Sequence, residues 1–548
     1  MVKAALANSL WWLAGGPSCV AFASALDDPS GTQEQILRRF LRDNSDTAFG
    51  REHGLAEVRT PEQFARRVPA RDYDEMRPWI DRVRGAEPQV LTTEPVRRLV
   101  PTSGSTAARK LIPYTASMHR EINRAIGPWV FDLYRGQPRA LLGPSYWSIS
   151  PQSQGKTECG EESSVPIGFD DDAAYLGAWR KHIVNAAMAV PGGIKDITTI
   201  EDWRYATLLC LLRRRDLSLI SVWHPSFLTL LFVAMRNDWD RLVNDVAEGT
   251  CAIRHHLTPA LATSMVDRPN RRRAEELCLY GHTAIDRVWP RLKVVSCWTD
   301  GHAAPAAAEL ARSMPSVAVQ PKGLIATEGV VSIPFQGRHP LAIRSHFFEF
   351  EDNAGRLSLA TDLKPGHYYT VVLTTAGGLC RYRLGDRIEV NGIVGRTPSI
   401  RFVGKSALIS DRMGEKLSDG FVATVLDRLF VAFESRPSFA MLAPDVDACG
   451  CRYTLYLSAD VPIAGSSELD ALLSTNPHYA YCRRLAQLLR PRLFRLSGNP
   501  YVAYCDRLRQ AGHRLGDIKP VGLSCLDGWS SYLPGRYIES VNEKLSRP

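Results

Sequence analysis

The chain has 548 residues, too long for one ordinary domain and long enough to bury a substantial core. Its composition, 45% hydrophobic and 23% charged, is globular, with no low-complexity tract and no internal repeat, which excludes disordered, fibrous and repeat classes. A net charge of +9, from 67 basic and 58 acidic residues, is mild for this length. The short clusters Arg213-Arg214-Arg215 and Arg271-Arg272-Arg273 lack interleaved aromatics and read as solvated helix faces rather than a nucleic-acid footprint.

An apolar stretch runs from Ala4 to Leu26, and Ala23-Ser24-Ala25 mimics a signal-peptidase site. Trp11-Trp12, Gly15-Gly16 and Pro17 interrupt it, so a short packed helix is expected and no membrane span. Ile36, Leu37, Phe40 and Leu41 recur at helical spacing, as do Ile122, Ile126, Val130 and Leu133. Between them, Arg98 to Thr115 reads as a strand, a polar loop and a second short strand before a helix. The section to about residue 290 is mostly helical by pattern, with Leu208 to Leu212 and Leu228 to Met235 as core.

From Leu292 onward, strand-like runs dominate: Lys293 to Trp298, Leu341 to Phe350 and Tyr368 to Val390, the last with a hairpin signal at Gly377-Gly378. The character changes after Arg401-Phe402-Val403-Gly404-Lys405, beyond which a strand at Tyr453 to Leu457 and a helix around Leu485 to Leu489 are expected. The expected fold class is α/β: a large N-terminal domain, residues 1–404, with a β-rich subdomain, and a smaller mobile α+β domain, residues 405–548. The hinge is placed near Lys405, after the flexible Gly404. Twelve scattered cysteines without paired CxxC units fit a cytoplasmic enzyme with packing thiols.

Three stretches carry chemistry. Thr102-Ser103-Gly104-Ser105-Thr106, closed by Lys110, is not a Walker A loop, because GxxxxGK[ST] is absent. It still suits phosphate: small residues admit backbone N–H groups, hydroxyls donate to oxygens, and lysine adds a point charge. An ordinary Ser/Thr turn has the same composition. Arg381-Tyr382-Arg383-Leu384-Gly385-Asp386 follows the hairpin signal, and a carboxylate at a strand end can accept from both hydroxyls of a ribose. The alternative is a surface turn. Ala326-Thr327-Glu328-Gly329 offers a carboxylate that could hold Mg²⁺ against a triphosphate.

Taken in order, these stretches resemble the acyl-adenylate-forming superfamily and, more closely, the auxin-responsive Gretchen Hagen family of acyl acid–amido synthetases. Thr102 to Thr115 is similar to that family's SSGTSxGxxKxIPxT stretch, and Thr374 to Val390 to its TTxxGLYRYRxGDxxxV stretch. Phe402-Val-Gly-Lys405 with Ser410 and Glu415-Lys416, Asn476-Pro-His-Tyr479 with Arg483, and Asp517-Ile-Lys519-Pro520 agree in order. Leu324 stands where the family has an aromatic, Lys405 where it has arginine, Cys380 where tyrosine is usual, and Gly516 where glutamine is common.

The resemblance implies ATP and Mg²⁺ as cofactors, with a small-molecule carboxylic acid and an amine such as an amino acid as substrates. It implies no nucleic-acid partner and a monomer or weak dimer. Ser103, Gly104, Ser105, Thr106 and Lys110 would hold the β- and γ-phosphates, Thr327 and Lys405 would line the nucleotide site, Glu328 would ligate Mg²⁺ and Asp386 would fix the ribose. Lys519 would deliver a cation to the α-phosphate from the mobile domain. Two rivals stay open: an acyl-CoA-type ligase with a thiol acceptor, and a catalytically silent binding protein on the same scaffold. Keeping Lys110, Glu328 and Asp386 together argues against silence.

Overall fold

The computed structural model describes residues 2–102, 110–148, 163–167, 186–405, 409–433, 437–447, 450–458, 465–510 and 518–538. Val2–Asp27 is one 26-residue helix, longer than the short one expected, because Pro17 is accommodated inside it. It is tied down by Asn8, fully buried, whose amide donates to the carbonyls of Leu141 (3.1 Å) and Gly143 (2.8 Å). Trp12 stacks on Phe131 with centroids 5.3 Å apart. Among the described residues no helix is long and apolar enough to cross a membrane.

Strands β1 (Arg98–Pro101) and β2 (Leu111–Tyr114) pair antiparallel, and the helix Ala116–Gly136 follows, as the apolar spacing predicts. Thr115 caps that helix, its Oγ1 accepting from the Met118 N–H at 3.1 Å. Ser103, Gly104, Ser105 and Thr106 lie outside the described residues.

Four parallel strands come next in spatial order: β3 (Ser145–Trp147), β4 (Leu219–Ser221), β5 (Val294–Cys297) and β6 (Ala318–Pro321). Trp147, Ser221, Ser296 and Gln320 are register partners, so they form one row on one face. The helices Ile200–Arg213 and Pro225–Asn237 share a core with this sheet through Leu208, Leu212, Leu231, Val295 and Cys297. The basic clusters are only partly solvated. Arg273 is 3% exposed and donates to the Leu212 carbonyl (2.9 Å) and the Val288 carbonyl (2.6 Å), closing the end of that helical layer.

Strands β7 (Ile325–Ala326) and β8 (Gly329–Val330) form a tight antiparallel ribbon that leaves Thr327 and Glu328 at its turn. The β-rich block is a five-stranded antiparallel sheet in the order β10-β9-β11-β12-β13. These are β9 (Phe347–Glu351), β10 (Leu357–Leu359), β11 (Tyr368–Thr374), β12 (Tyr382–Val394) and β13 (Thr397–Lys405). The strand expected from Leu341 starts only at Phe347, because Ser345 turns the chain by donating its hydroxyl to the carbonyls of Val330 and Ala342.

Beyond Lys405 come the ribbon β14 (Ile409–Ser410) and β15 (Leu417–Ser418), the helix Asp419–Ala432 and a four-stranded sheet. Its strands are β16 (Ala440–Asp447), β17 (Gly450–Leu457), β18 (Arg492–Leu496) and β19 (Gly535–Ile538). The helix expected at Leu485 to Leu489 lies upstream, at Pro477–Arg484. Asn476 caps it by accepting from the His478 and Tyr479 N–H groups, and Ala486, at φ +55°, turns the chain out of the helix. Phe439, Tyr456 and Tyr504 pack with Leu230 and Ala306, joining this last sheet to the helices of the central layer.

Candidate active site

Lys110, Glu328, Asp386, Lys405 and Lys519, spread over more than 400 positions of sequence, converge where β2, the β7–β8 turn, β12, β13 and the C-terminal segment meet. The local reasons differ for each. Lys110 precedes β2, where the Leu111 N–H donates to the Tyr73 hydroxyl at 2.7 Å. Lys110 Nζ stands 3.5 Å from the hydroxyl of Tyr382, the first residue of β12.

Thr327 and Glu328 are held at their turn from both sides. The Tyr114 hydroxyl donates to the Thr327 carbonyl at 2.6 Å. The Val330 N–H donates to His346 Nε2 at 3.1 Å, and His346 Nδ1 lies 2.9 Å from Glu121 Oε2, which also accepts from the Ala376 N–H at 2.9 Å. Because His346 Nε2 accepts, the proton of the neutral ring sits on Nδ1. Gly329 is needed here, since a Cβ would come within 2.8 Å of that imidazole. A buried carboxylate–imidazole pair thus orients the turn that presents Glu328.

Asp386 is not at a strand end. It lies within β12, opposite Lys405 of β13, because the returning strand pairs along it. Glu328 is 7% and Asp386 6% exposed. Burial pushes both carboxyl groups above the ordinary carboxylate range; Lys405 and Lys110 work against this at both, and Lys519 also at Asp386. Two carboxylates with three lysine ammoniums, and no arginine fork among the described residues, make a polar site with one ammonium in excess. That arrangement suits a bound polyphosphate with a divalent cation.

The C-terminal segment enters through Lys519. Its Nζ sits 4.0 Å from the centre of the Trp298 ring, just beyond β5, and the Tyr504 hydroxyl donates to its carbonyl at 2.9 Å. Asp419, missed by sequence reasoning, joins β13 to the C-terminal segment. Its carboxylate accepts from the Lys405 N–H (3.1 Å) and from the Leu523 N–H (3.2 Å). The sequence signal was Ser418-Asp419 opening an apolar run, an N-terminal helix pattern, but nothing local reveals the two distant amides. A Cβ at Gly404 would lie 3.2 Å from the Gly420 Cα, so its smallness lets β13 touch the start of the helix Asp419–Ala432. Lys322 and the tryptophans around it were also missed, because no spacing rule links residues from Trp129 to Lys322.

Among the described residues no group of three or more His, Cys, Asp or Glu is placed to hold a metal by itself. None of the ten described cysteines is in a disulfide.

The chain is similar to an indole-3-acetic acid-amido synthetase of Arabidopsis thaliana, 22% identical over 507 residues, covering 84% of this chain and 89% of that one. It is also similar to a jasmonoyl–L-amino acid synthetase of Nicotiana attenuata, 24% identical over 419 residues and 71% of each chain. A solved acyl acid amido synthetase, AtGH3.15 in complex with 2,4-DB, superposes with a TM-score of 0.80 over 92% of this chain and 93% of that one, at 18% identity, so the fold is shared. Residues 20–319 match the GH3 family N-terminal domain and residues 339–405 the GH3 family central domain. With more than half of its length matched in this way, the chain belongs to the GH3 family.

Proposed function

We propose that this chain is an ATP-dependent acyl acid–amido synthetase, a ligase that forms an acyl-AMP and transfers the acyl group to an amine such as an amino acid. The observation that carries this reading is the gathering of three lysines around two buried carboxylates.

A carboxylate is a poor acyl donor because oxide leaves badly, and AMP is a far better leaving group. In the first half-reaction the acid's carboxylate oxygen attacks the α-phosphorus and pyrophosphate departs. In the second, the amine attacks the acyl carbonyl and AMP leaves. Catalysis is then mostly positioning and charge stabilisation. Lys110, with Ser103, Gly104, Ser105 and Thr106, holds the β- and γ-phosphates; Asp386 accepts from the ribose hydroxyls; Lys519 faces the α-phosphate. Thr327 and Lys405 line the nucleotide. Glu328 is the carboxylate suited to Mg²⁺, which would arrive with the triphosphate and neutralise its charge. Cysteines without a disulfide among the described residues fit a cytoplasmic location.

The testing experiment is carboxylate-dependent ATP–pyrophosphate exchange over aryl, indolyl and fatty acids, followed by acceptor screening with amino acids and CoA. Turnover is expected to yield AMP and pyrophosphate in equal amounts, with amide product from an amino acid. Stoichiometric ADP and phosphate would overturn the assignment, and thioester formation without amide would make the chain a CoA ligase.

The division at residue 405 belongs to the same proposal, with residues 405–548 turning between the half-reactions. Lys405→Pro removes the N–H that donates to Asp419 and fixes φ. It is expected to depress one half-reaction far more than the other, measured as pyrophosphate exchange and as transfer from preformed acyl-AMP. Equal losses at unchanged Tm would place the hinge elsewhere.

A further inference from the structure

Lys322 is 4% exposed, and no carboxylate among the described residues pairs with it. Its Nζ donates to the Ser221 hydroxyl at 2.9 Å and lies 4.4 Å from the ring centre of Trp223, 5.6 Å from that of Trp129 and 5.9 Å from that of Trp147. Three indole faces stabilise a cation here, but they do not replace a counter-ion. Burial pushes the ammonium down to about 7. A lysine in such a place destabilises the fold unless it serves a ligand.

A second group beside it is also unsatisfied. Ser296, fully buried, makes no side-chain hydrogen bond among the described residues. It is the register partner of Ser221 on the adjacent parallel strand, so the two hydroxyls point to the same face about 5 Å apart. Ser221 Oγ already accepts from Lys322, which leaves its own proton to donate. Two serine O–H groups and the remaining N–H groups of Lys322 therefore gather at one spot with no acceptor for them among the described residues. The indole nitrogens of Trp129 and Trp147 are occupied, by Gln320 Oε1 and Ser145 Oγ, both at 3.2 Å.

The spot lies at the carboxyl ends of β4, β5 and β6, where open α/β sheets bind ligands. It connects to the adenylation centre by aromatic contacts. Trp223 meets Trp298 with centroids 5.4 Å apart, and Trp298 carries Lys519 on its face at 4.0 Å. Trp147, Trp223 and Trp298 are half-buried. Lys322, Trp223, Trp298 and Lys519 thus follow one another at 4.4, 5.4 and 4.0 Å.

We propose that Lys322, Ser221 and Ser296 form an anion subsite for the acyl acid at the carboxyl ends of β4, β5 and β6, which selects flat, ring-bearing acids with a second anionic group remote from the reacting carboxylate. This rests on the adenylating reading above. Lys519 takes the reacting end, the indoles take the ring, and Lys322 takes the second anion. Lys322 is then a specificity residue that touches substrate away from the reacting atoms.

The test is pyrophosphate exchange with terephthalate, its monomethyl ester and benzoate, on the wild-type chain and on Lys322→Met and Lys322→Arg. Wild type is expected to favour terephthalate over the ester and over benzoate by about 10-fold or more in kcat/KM, since a buried site built for a polar group rejects analogues that lack it. Lys322→Met, of similar length and without charge, is expected to abolish that ratio, and Lys322→Arg to keep part of it. Quenching of tryptophan fluorescence by terephthalate should follow the same order, reading binding without turnover. Equal use of the three acids by wild type, or an unchanged ratio in Lys322→Met, would overturn the subsite while leaving adenylation intact. Exchange with no acid of any class would overturn both. If Lys322→Met fails to fold, loss of the ratio in Ser296→Ala supports the subsite and its retention there overturns it.

Discussion

Replacing Arg381 by alanine is expected to cost about 3–5 kcal/mol of stability, the largest single loss outside the apolar core, because it leaves a buried charge uncompensated. The guanidinium is 3% exposed and grips Glu349 with two bonds, Nε to Oε2 at 2.8 Å and Nη2 to Oε1 at 2.7 Å. Its Nη1 donates to the carbonyls of Ala65 (2.9 Å) and Val68, so one side chain ties an N-terminal helix to β9. The backbone of Arg381 sits at φ +47°, and its N–H donates to Thr374 Oγ1 at 2.9 Å, which closes the connection between β11 and β12. Urea unfolding of Arg381→Ala should show the loss as a lowered midpoint. Arg381→Met combined with Glu349→Leu should recover much of it, since replacing both partners removes the orphaned carboxylate. A single-variant loss below about 1 kcal/mol, the value of an ordinary exposed pair, would show that the clamp does not hold β12 in place.

The second large effect is a trade between activity and stability at the two buried carboxylates. Glu328→Gln is expected to lower adenylation on the order of 100-fold, by analogy with loss of one electrostatic contact to a developing charge. Asp386→Asn is expected to weaken ATP use by roughly 1–3 kcal/mol. Both variants should nevertheless melt a few degrees higher than wild type without nucleotide. The sign follows from the direction of the shifts. Burial raises both carboxyl groups in the folded chain, so folding favours their protonated forms, and the penalty appears as pH rises from the unfolded value through the raised folded one. Neutral amides do not carry that penalty. For the same reason the wild-type rate should fall on the acid side at a pH above the ordinary carboxylate range, and Glu328→Gln should keep only the part of that limb that Asp386 carries. A lower Tm in both variants would mean that their carboxylates hold the empty fold together rather than waiting for a ligand.

Much of the frame was legible because it is local. The strand–loop–strand–helix run from Arg98 through Thr115 and the hairpin at Gly377-Gly378 are written in contiguous turn and cap residues. What escaped depends on return paths. Asp386 is inside a strand only because β13 comes back alongside it, and Lys405 stands opposite for the same reason. The cage around Lys322 draws on Trp129, Trp147 and Trp223, each on a different element, and a lone lysine in an apolar run carries no warning of this. Arg273 was read with its neighbours as solvated, since charge in a triplet does not say which member turns inward. At Leu485 to Leu489 apolar content suggested a helix, while the decisive cue was the Asn476-Pro477 start upstream.

The touching of Gly404 and Gly420 bears on how freely the two parts of the chain could turn. At that crossing backbone meets backbone, with no side chain on either residue to be driven through the other. Resistance to the proposed turn about Lys405 would come from the Asp419 carboxylate, which would have to release either the Lys405 or the Leu523 amide, and from the packing of Phe439, Tyr456 and Tyr504 on Leu230 and Ala306. If the proposed turning operates, substitutions at Asp419 loosen one of these ties, so they should change how often the parts change places more than where they rest.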